Sequence, residues 1–557
     1  VRRRGFLKTA LLGVLGTVGR TATAAPRPRV VVVGAGPAGL SAALTLVERG
    51  VLVTLVEAAG QVGGKAKGWT ESVDGAPVDV ENGLHLIDGP CPELLGLARR
   101  YALDDAFAIG PIPAVQTAGR VASPDRARRK AFKRLLLEEG TSWRTVRATR
   151  RAWASLSVDG LRDRFAGRVA AGLPPTGLAR EAWTRSRFWA GPDALDAAEL
   201  ALAEAAEPTP TLFTGNPQAL LWDPLAAAFR SQRGKLRLQT VVQELVVDGG
   251  RVTGVRVGQR AQQWSVALPT TDRWTPVEAD EPLWVRRTRR GVEAVHGRCT
   301  HAGCRVALDG RAFVCPCHGG RYDLEGRPIA GPPPDPLPRP EVAIVDDRVD
   351  VRLGGVLETV PADAVVLAVD AAAAKPLLVP FGVTVGVGTT RHAVARFWVE
   401  GRVPAAVPAI QVVEELPFVT RGVLVHRLQP AARAWAAATG GAVVELHAGR
   451  PLPPAMTPDA ALDLLELDLR VAFPSLATAA IRKRTLARGD AFTHLAPGWR
   501  ATALRRRTGV PGVFAAGDHV DHPMPGQLLE AAVGSGRLAA MEVLAMLGGA
   551  PFTAVDG

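Results

Sequence analysis

The stretch RVVVVGAGPAGLSAALTLVERGVLVTLVEA, residues 29–58, leaves few folds open. Val30 to Val33 form an unbroken apolar run, the mark of a strand covered on both faces. Gly34, Gly36 and Gly39 then place G-x-G-x-x-G at the turn from that strand into an apolar helix. Glycines there let the backbone approach a pyrophosphate, which sits on the helix N-terminus. A second apolar strand ends in Glu57, placed to accept hydrogen bonds from a ribose 2′-hydroxyl. The glycines alone are weak grounds, but strand, glycines, helix, strand and acid in this order specify a dinucleotide-binding βαβ unit. FAD and NAD both fit it.

At 557 residues the chain is too long for one ordinary core, so two or three domains are expected. Three further stretches narrow the cofactor: Gln61-Val62-Gly63-Gly64-Lys65, then VENGLHLIDG at 80–89, then GVPGVFAAGDHVDHPMPGQLLEAAVGSGRLAA at 509–540. Together they resemble the FAD-dependent amine oxidase and carotenoid desaturase superfamily. The resemblance implies that Gly63, Gly64 and Lys65 lie along the pyrophosphate and flavin. It also implies that Asp518 bonds the flavin side chain and that the helix after Glu530 points its N-terminus at the isoalloxazine. The hairpin VVQELVVDGGRVTGVRVG, residues 241–258, is typical of that fold, and Val242 on it counts among the cofactor-binding positions. ADAVVLAVD, residues 362–370, reads as a core strand of the same domain. Glu81 and His85, flanking the flavin segment, are the candidate catalytic residues, with support of the flavin loop as their alternative use.

Four of the five cysteines fall in CTHAGC, residues 299–304, and CPCHGG, residues 315–320. Two thiolates can hold one iron and two imidazoles another. A structural zinc site uses the same residue types, although its usual close cysteine pairs are missing. The two loops resemble Rieske proteins in both halves. That resemblance assigns Cys299, His301, Cys315 and His318 as ligands of a [2Fe-2S] cluster and joins Cys304 to Cys317 in a disulfide, in keeping with an oxidising compartment. It makes GPPPDPLPRP, residues 331–340, the loop shielding the cluster, and Tyr322 the donor to a ligand sulfur. Gly320 stands where the high-potential proteins carry serine, so one donor is lost and a potential below the top of the range is expected. The remaining Cys91 is expected to be an inert thiol.

The implied architecture is α/β: a Rossmann-like FAD-binding domain (residues 26–100, 236–271, 354–376 and 501–550), a mixed α+β substrate domain (101–235 and 377–500) and an inserted small all-β Rieske domain (272–353). A flavin takes electrons in pairs as hydride and a Rieske cluster takes them singly, so the two make a converter between organic chemistry and an external one-electron carrier (quinone, ferredoxin or cytochrome). RSRFWAGPDALDAAELALAEAA, FTGNPQALLWDPLA and ATGGAVVELHAGRP resemble the β-carotene desaturase/methyltransferases of the isorenieratene synthase group, which implies a hydrophobic isoprenoid substrate. An exported amine or alcohol dehydrogenase and an electron-transfer flavoprotein without an organic substrate are the alternatives. No P-loop, kinase signature or catalytic triad competes with these readings.

Two basic segments bear on location. Residues 1–25 hold RRRGFLK, an apolar run and ATA, which resemble a twin-arginine export signal cleaved after Ala24. The expected site is therefore the periplasm or the outer face of the cytoplasmic membrane, with a cytoplasmic, membrane-associated enzyme as the alternative. The formal charge of +13 is uneven, and residues 120–151 carry eleven Arg/Lys against three acids. Phe132, Leu135 and Leu136 recur there at helical spacing, which predicts a basic amphipathic helix for a membrane surface or else a solvated helix face. Nothing resembles a nucleic-acid-binding fold.

Overall fold

The computed structural model describes residues 27–548, apart from 84–85, 89–90, 118–119, 123–128, 175–179, 206–209, 260–261, 278–281, 301–304, 316–318, 332, 334, 355–356, 454 and 525–527. At its centre lies a five-stranded sheet. The strands run in the order Lys235–Arg237, Leu52–Val56 (β2), Arg29–Val33 (β1), Ala364–Leu367 and Val513–Ala515. All neighbours are parallel. Parallel strands need cover on both faces, and the valine-rich β1 is almost wholly hidden. One face holds the helix Pro37–Val47 (α1) against the long helix Leu528–Met546. A Cβ on Gly536 would lie 2.1 Å from the Ala38 carbonyl oxygen, so only glycine admits this close crossing. The other face packs on the antiparallel sheet Thr240–Asp248, Arg251–Gln259 and Glu358–Pro361.

The inserted unit leaves and re-enters through that second sheet. Arg251–Gln259 pairs with Glu358–Pro361, and Gln262–Ala267 pairs with Arg348–Leu353. The two ends of the insertion are thus side by side, the geometry in which a host fold tolerates an extra domain. The first strand of the unit's own sheets begins at Gln262, ahead of the expected boundary at 272. The unit is all β, built from small antiparallel sheets around Val295, Phe313, Tyr322 and Leu337.

A seven-stranded sheet forms the third body, with Ile481–Thr493, Thr389–Val399 and Ala442–His447 at one end and Ala114–Thr117 and Arg120–Ala122 at the other. Its middle buries Phe397, Val399, Val444 and Leu446 completely, each a gain of about 1.5–3 kcal/mol. Amid them Arg396 donates to Glu445 through Nε at 2.9 Å and Nη2 at 2.6 Å.

The basic stretch corrects the expectation of a lipid-facing stripe. Within the helix Arg129–Glu138, Phe132, Leu135 and Leu136 are buried against Val115, Ala122, Val146 and Val412. Those three residues are protein core, and the helix's charges face solvent together with Leu137. No helix among the described residues is long and apolar enough to cross a membrane.

Candidate functional site

The two glycine loops meet. Gly34 holds φ +96°, and a Cβ on Gly39 would fall 1.7 Å from the Gly34 carbonyl oxygen, so the first turn closes only with glycine at both positions. A Cβ on Gly64 would lie 3.0 Å from the Gly36 Cα, which sets the second loop against the first. No side chain caps α1, whose first N–H groups are left for a ligand. Glu57 takes the Ala35 N–H on Oε2 and the Ala59 N–H on Oε1, both at 2.7 Å. Burial raises its pKa against those bonds. Val242 sits partly buried beside the flavin-domain core, where the strand Thr240–Asp248 is irregular. Gly34, Gly36, Gly39, Gly63 and Gly64 therefore form a side-chain-free cradle that fits a dinucleotide pyrophosphate.

Asp518 and Lys65 come together at the far end of this cradle. The buried Asp518 accepts from Thr493 Oγ1 at 2.8 Å and pairs with Lys65 Nζ at 3.3 Å. Burial opposes its charge, yet Lys65, His519 and Thr493 hold the carboxyl well below the usual range. Lys65 also lies 5.8 Å from the Phe492 ring centroid. Phe492 belongs to an aromatic cluster that the sequence did not reveal. Trp189 lies 5.5 Å from His392, 5.6 Å from Phe492 and 5.8 Å from His447, on which it stacks at 13°. Its backbone is left-handed at φ +54°, a strained state for a bulky residue. Gly83, in the flavin segment, faces the same place, since a Cβ there would lie 3.3 Å from His447 Cε1.

His447 is the most buried ring of this cluster. Glu445 Oε1 accepts from its Nε2 at 2.8 Å, which fixes the proton there, while Nδ1 is buried without a hydrogen-bond partner. Burial lowers its pKa, so the imidazole is neutral at ordinary pH. Of the two expected catalytic residues, Glu81 is buried and accepts from Gln429 Nε2 at 2.7 Å, and His85 lies outside the described residues. Glu530 ties the last long helix to a neighbouring one. Its oxygens accept the N–H groups of Glu93 at 2.8 Å and Leu94 at 2.9 Å, capping the helix Pro92–Arg100.

In the inserted unit Cys299 and Cys315 are buried in one small core with Tyr322. The Tyr322 hydroxyl donates to Cys299 Sγ at 3.2 Å and accepts the Thr300 N–H at 2.9 Å. Thr300 Oγ1 ties this loop to the proline-rich segment through the Asp335 carbonyl at 2.6 Å. A Cβ on Gly320 would lie 2.7 Å from Pro333 Cγ, so the absent serine has no room. His301, His318 and both expected disulfide cysteines, Cys304 and Cys317, lie outside the described residues. Two buried sulfurs in one core, with a hydroxyl donor on one of them, fit half of an iron–sulfur ligand set. Cys91 is separate, and burial pushes its thiol up to about 11, far from reactive.

A cleft of about 340 Å³ separates Cys299 and Thr300 from Gly60 and the strand Lys235–Arg237. The iron-side loop is thus docked beside the flavin domain.

Residues 37–263 and 443–544, more than half of the chain, match the flavin containing amine oxidoreductase family. The chain belongs to that family. It also carries a match to the Rieske [2Fe-2S] domain over residues 263–341. It is therefore an FAD-dependent oxidoreductase with a Rieske cluster. It is 29% identical to a carotenoid phi-ring synthase of Chlorobaculum tepidum, over 93% of this chain and 88% of the relative. The Rieske segment alone is 48% identical over 64 residues to the cytochrome b6-f complex iron-sulfur subunit of Prochlorococcus marinus, covering 11% of this chain and 34% of that one. Among solved structures, cyclohexylamine oxidase of Brevibacterium oxydans shares the fold, with TM-score 0.55 at 15% identity, covering 94% of this chain and all of that one. An oxidoreductase of Methanosarcina mazei gives 0.56 at 13%, over 92% and 100% of the two chains.

Proposed function

We propose that this protein desaturates the ring of a carotenoid or similar long isoprenoid, with the flavin taking hydride and the Rieske cluster passing electrons singly to an external carrier. The observation that carries the reading is the Trp189–His392–His447–Phe492 ring cluster beside Lys65 and Gly83. Aromatic side chains suit contact with an apolar ring, and a charged amine finds no carboxylate among these four. Likeness to the phi-ring synthase over nearly the full chain supports the same substrate class.

Desaturation removes a hydride and a proton. Loss of hydride leaves a ring carbocation, which the π faces of Trp189 and Phe492 stabilise by about 0.5–2 kcal/mol each. The proton then goes to His447 Nδ1, the buried lone pair that Glu445 leaves open by holding Nε2–H. Arg396 holds Glu445 in place through Nε and Nη2, and Glu445 in turn orients the His447 ring. Pairing with Asp518 keeps the Lys65 ammonium from repelling the cation. The reading includes export by the twin-arginine route, supported by the RRRGFLK and ATA stretches, and contact with anionic lipid through the exposed Arg129, Lys130, Lys133 and Arg134.

Anaerobic mixing with lipid-dispersed carotenes tests the substrate. Flavin bleaching within a single turnover is expected, and H447Q should slow it by about a hundredfold, the lower end of a general base's worth. Bleaching by amines or alcohols alone would replace this reading with a dehydrogenase of polar substrates. Bleaching by none of them would leave an electron-transfer protein.

A further inference from the structure

Arg230 occupies the last turn of the helix Asp223–Ser231, whose Leu225, Ala226 and Phe229 are packed into the flavin-domain core. Its guanidinium nevertheless crosses to the inserted domain. Nη2 donates to the carbonyl of Thr300, the residue after Cys299, at 3.3 Å. Nη1 is sealed from solvent and has no hydrogen-bond partner. Burial pulls the guanidinium down to about 10, against the attraction of Cys299, Asp223, Asp335 and Tyr322, so it stays cationic at neutral pH. The other end of the same rod is a π-helical turn, Gln218–Trp222, whose Trp222 Nε1 donates to the Ala66 carbonyl at 2.6 Å and whose ring lies against Gly63. From Trp222 to Arg230 the rise is about 12 Å. One stiff element thus touches the flavin cradle at its start and the Cys299 loop at its end.

We infer that Arg230 is the means by which the flavin domain sets the reduction potential of the Rieske cluster. Reduction adds one negative charge to the cluster. A cation held beside the Cys299 loop in a low-dielectric boundary favours that charged form more than the oxidised one. Arginine suits the position because its fork can hold the Thr300 carbonyl and keep a second nitrogen free for the field. The arrangement also answers the missing donor at Gly320. Pro333 leaves no room for a hydroxyl there, and the favourable charge comes instead from the opposite loop and from another domain. A consequence follows for order of events: the cluster is most readily reduced when docked on the flavin domain. The inference rests on the cluster alone and is independent of the substrate.

The test uses the full-length holoprotein and EPR-monitored redox titration of the cluster in R230Q, R230K and, as a control, R311Q. Arg311 is exposed in the turn between the strands Ala307–Asp309 and Ala312–Val314. R230Q should lower the reduction equilibrium constant about tenfold, equal to about 59 mV for a one-electron couple. R230K should lower it by no more than about threefold, because the charge remains, and R311Q should leave it unchanged. A midpoint in R230Q equal to that of the unmodified protein overturns the inference, as does an equal drop in R311Q. Cluster loss in R230Q with a normal cluster in R230K supports the need for charge. Loss in both marks a structural tie and also overturns it.

Discussion

Replacing Gly63 by alanine tests the second loop of the cradle. Gly63 holds φ +101°, where an L-residue is strained by about 1–2 kcal/mol. The new Cβ would lie 2.9 Å from Trp222 Cδ1, closer than carbon atoms approach, so the indole must move. Moving it lengthens the 2.6 Å bond from Trp222 Nε1 to the Ala66 carbonyl, another loss of about 1–2 kcal/mol for buried partners. The sum is about 2–4 kcal/mol, which must appear somewhere. If the loop relaxes in the apoprotein, FAD affinity falls by roughly thirtyfold to a thousandfold. If it cannot relax, the same free energy leaves the stability of the fold. Titration of apoprotein with FAD, read by flavin fluorescence, measures the first; urea unfolding of the apoprotein measures the second. G63A with both values unchanged would refute the cradle as described.

Three other outcomes are expected. Y322F removes the donor to Cys299 Sγ and should lower the cluster midpoint by roughly 40–90 mV, the equivalent of about 1–2 kcal/mol per electron; an unchanged midpoint in a titration would contradict the contact. Glu530, pushed up to about 7 by burial, has a folded pKa above its unfolded value, so the folded state binds the extra proton. Stability should therefore be highest below about pH 4.5 for this group and fall by about 3 kcal/mol as pH rises through 7, a slope that E530Q abolishes in urea melts. R396M leaves Glu445 charged in the core and should cost about 3–5 kcal/mol, so equal urea midpoints for R396M and the parent would show the pair to be inert.

The legible parts of the sequence were those whose chemistry is local. The cradle needs β1, a glycine turn, α1 and β2 in one short run, and only glycine survives at Gly34 and Gly39, so composition and order together specify it. The Rieske loops are equally compact. Trp189, His392, His447 and Phe492, by contrast, come from four distant segments; strand pairing brings the last three together, with His392 opposite Gly489 and Val394 opposite His447, and Trp189 joins from the bend after the helix Arg180–Phe188. No spacing in the chain announces them, although Trp189 lies in RSRFWAG and His447 in VVELHAG, both within segments that resemble the carotenoid group. The helix Arg129–Glu138 left two readings open for a physical reason: an apolar stripe looks the same whether lipid or Val115 and Val412 will cover it. Glu530 and Arg230 were opaque because their partners, the helix Pro92–Arg100 and the Thr300 carbonyl, are settled only by tertiary packing.

Electron passage between the flavin and the cluster within one chain is the claim on which the function stands. Anaerobic holoprotein, its flavin reduced by a substoichiometric pulse of photoreductant, can be frozen at intervals for EPR while flavin absorbance is followed in parallel. The account predicts a reduced-cluster signal that grows as flavin absorbance recovers, in R230Q to a smaller final extent. A flavin that stays bleached beside a cluster that never becomes EPR-active would contradict it.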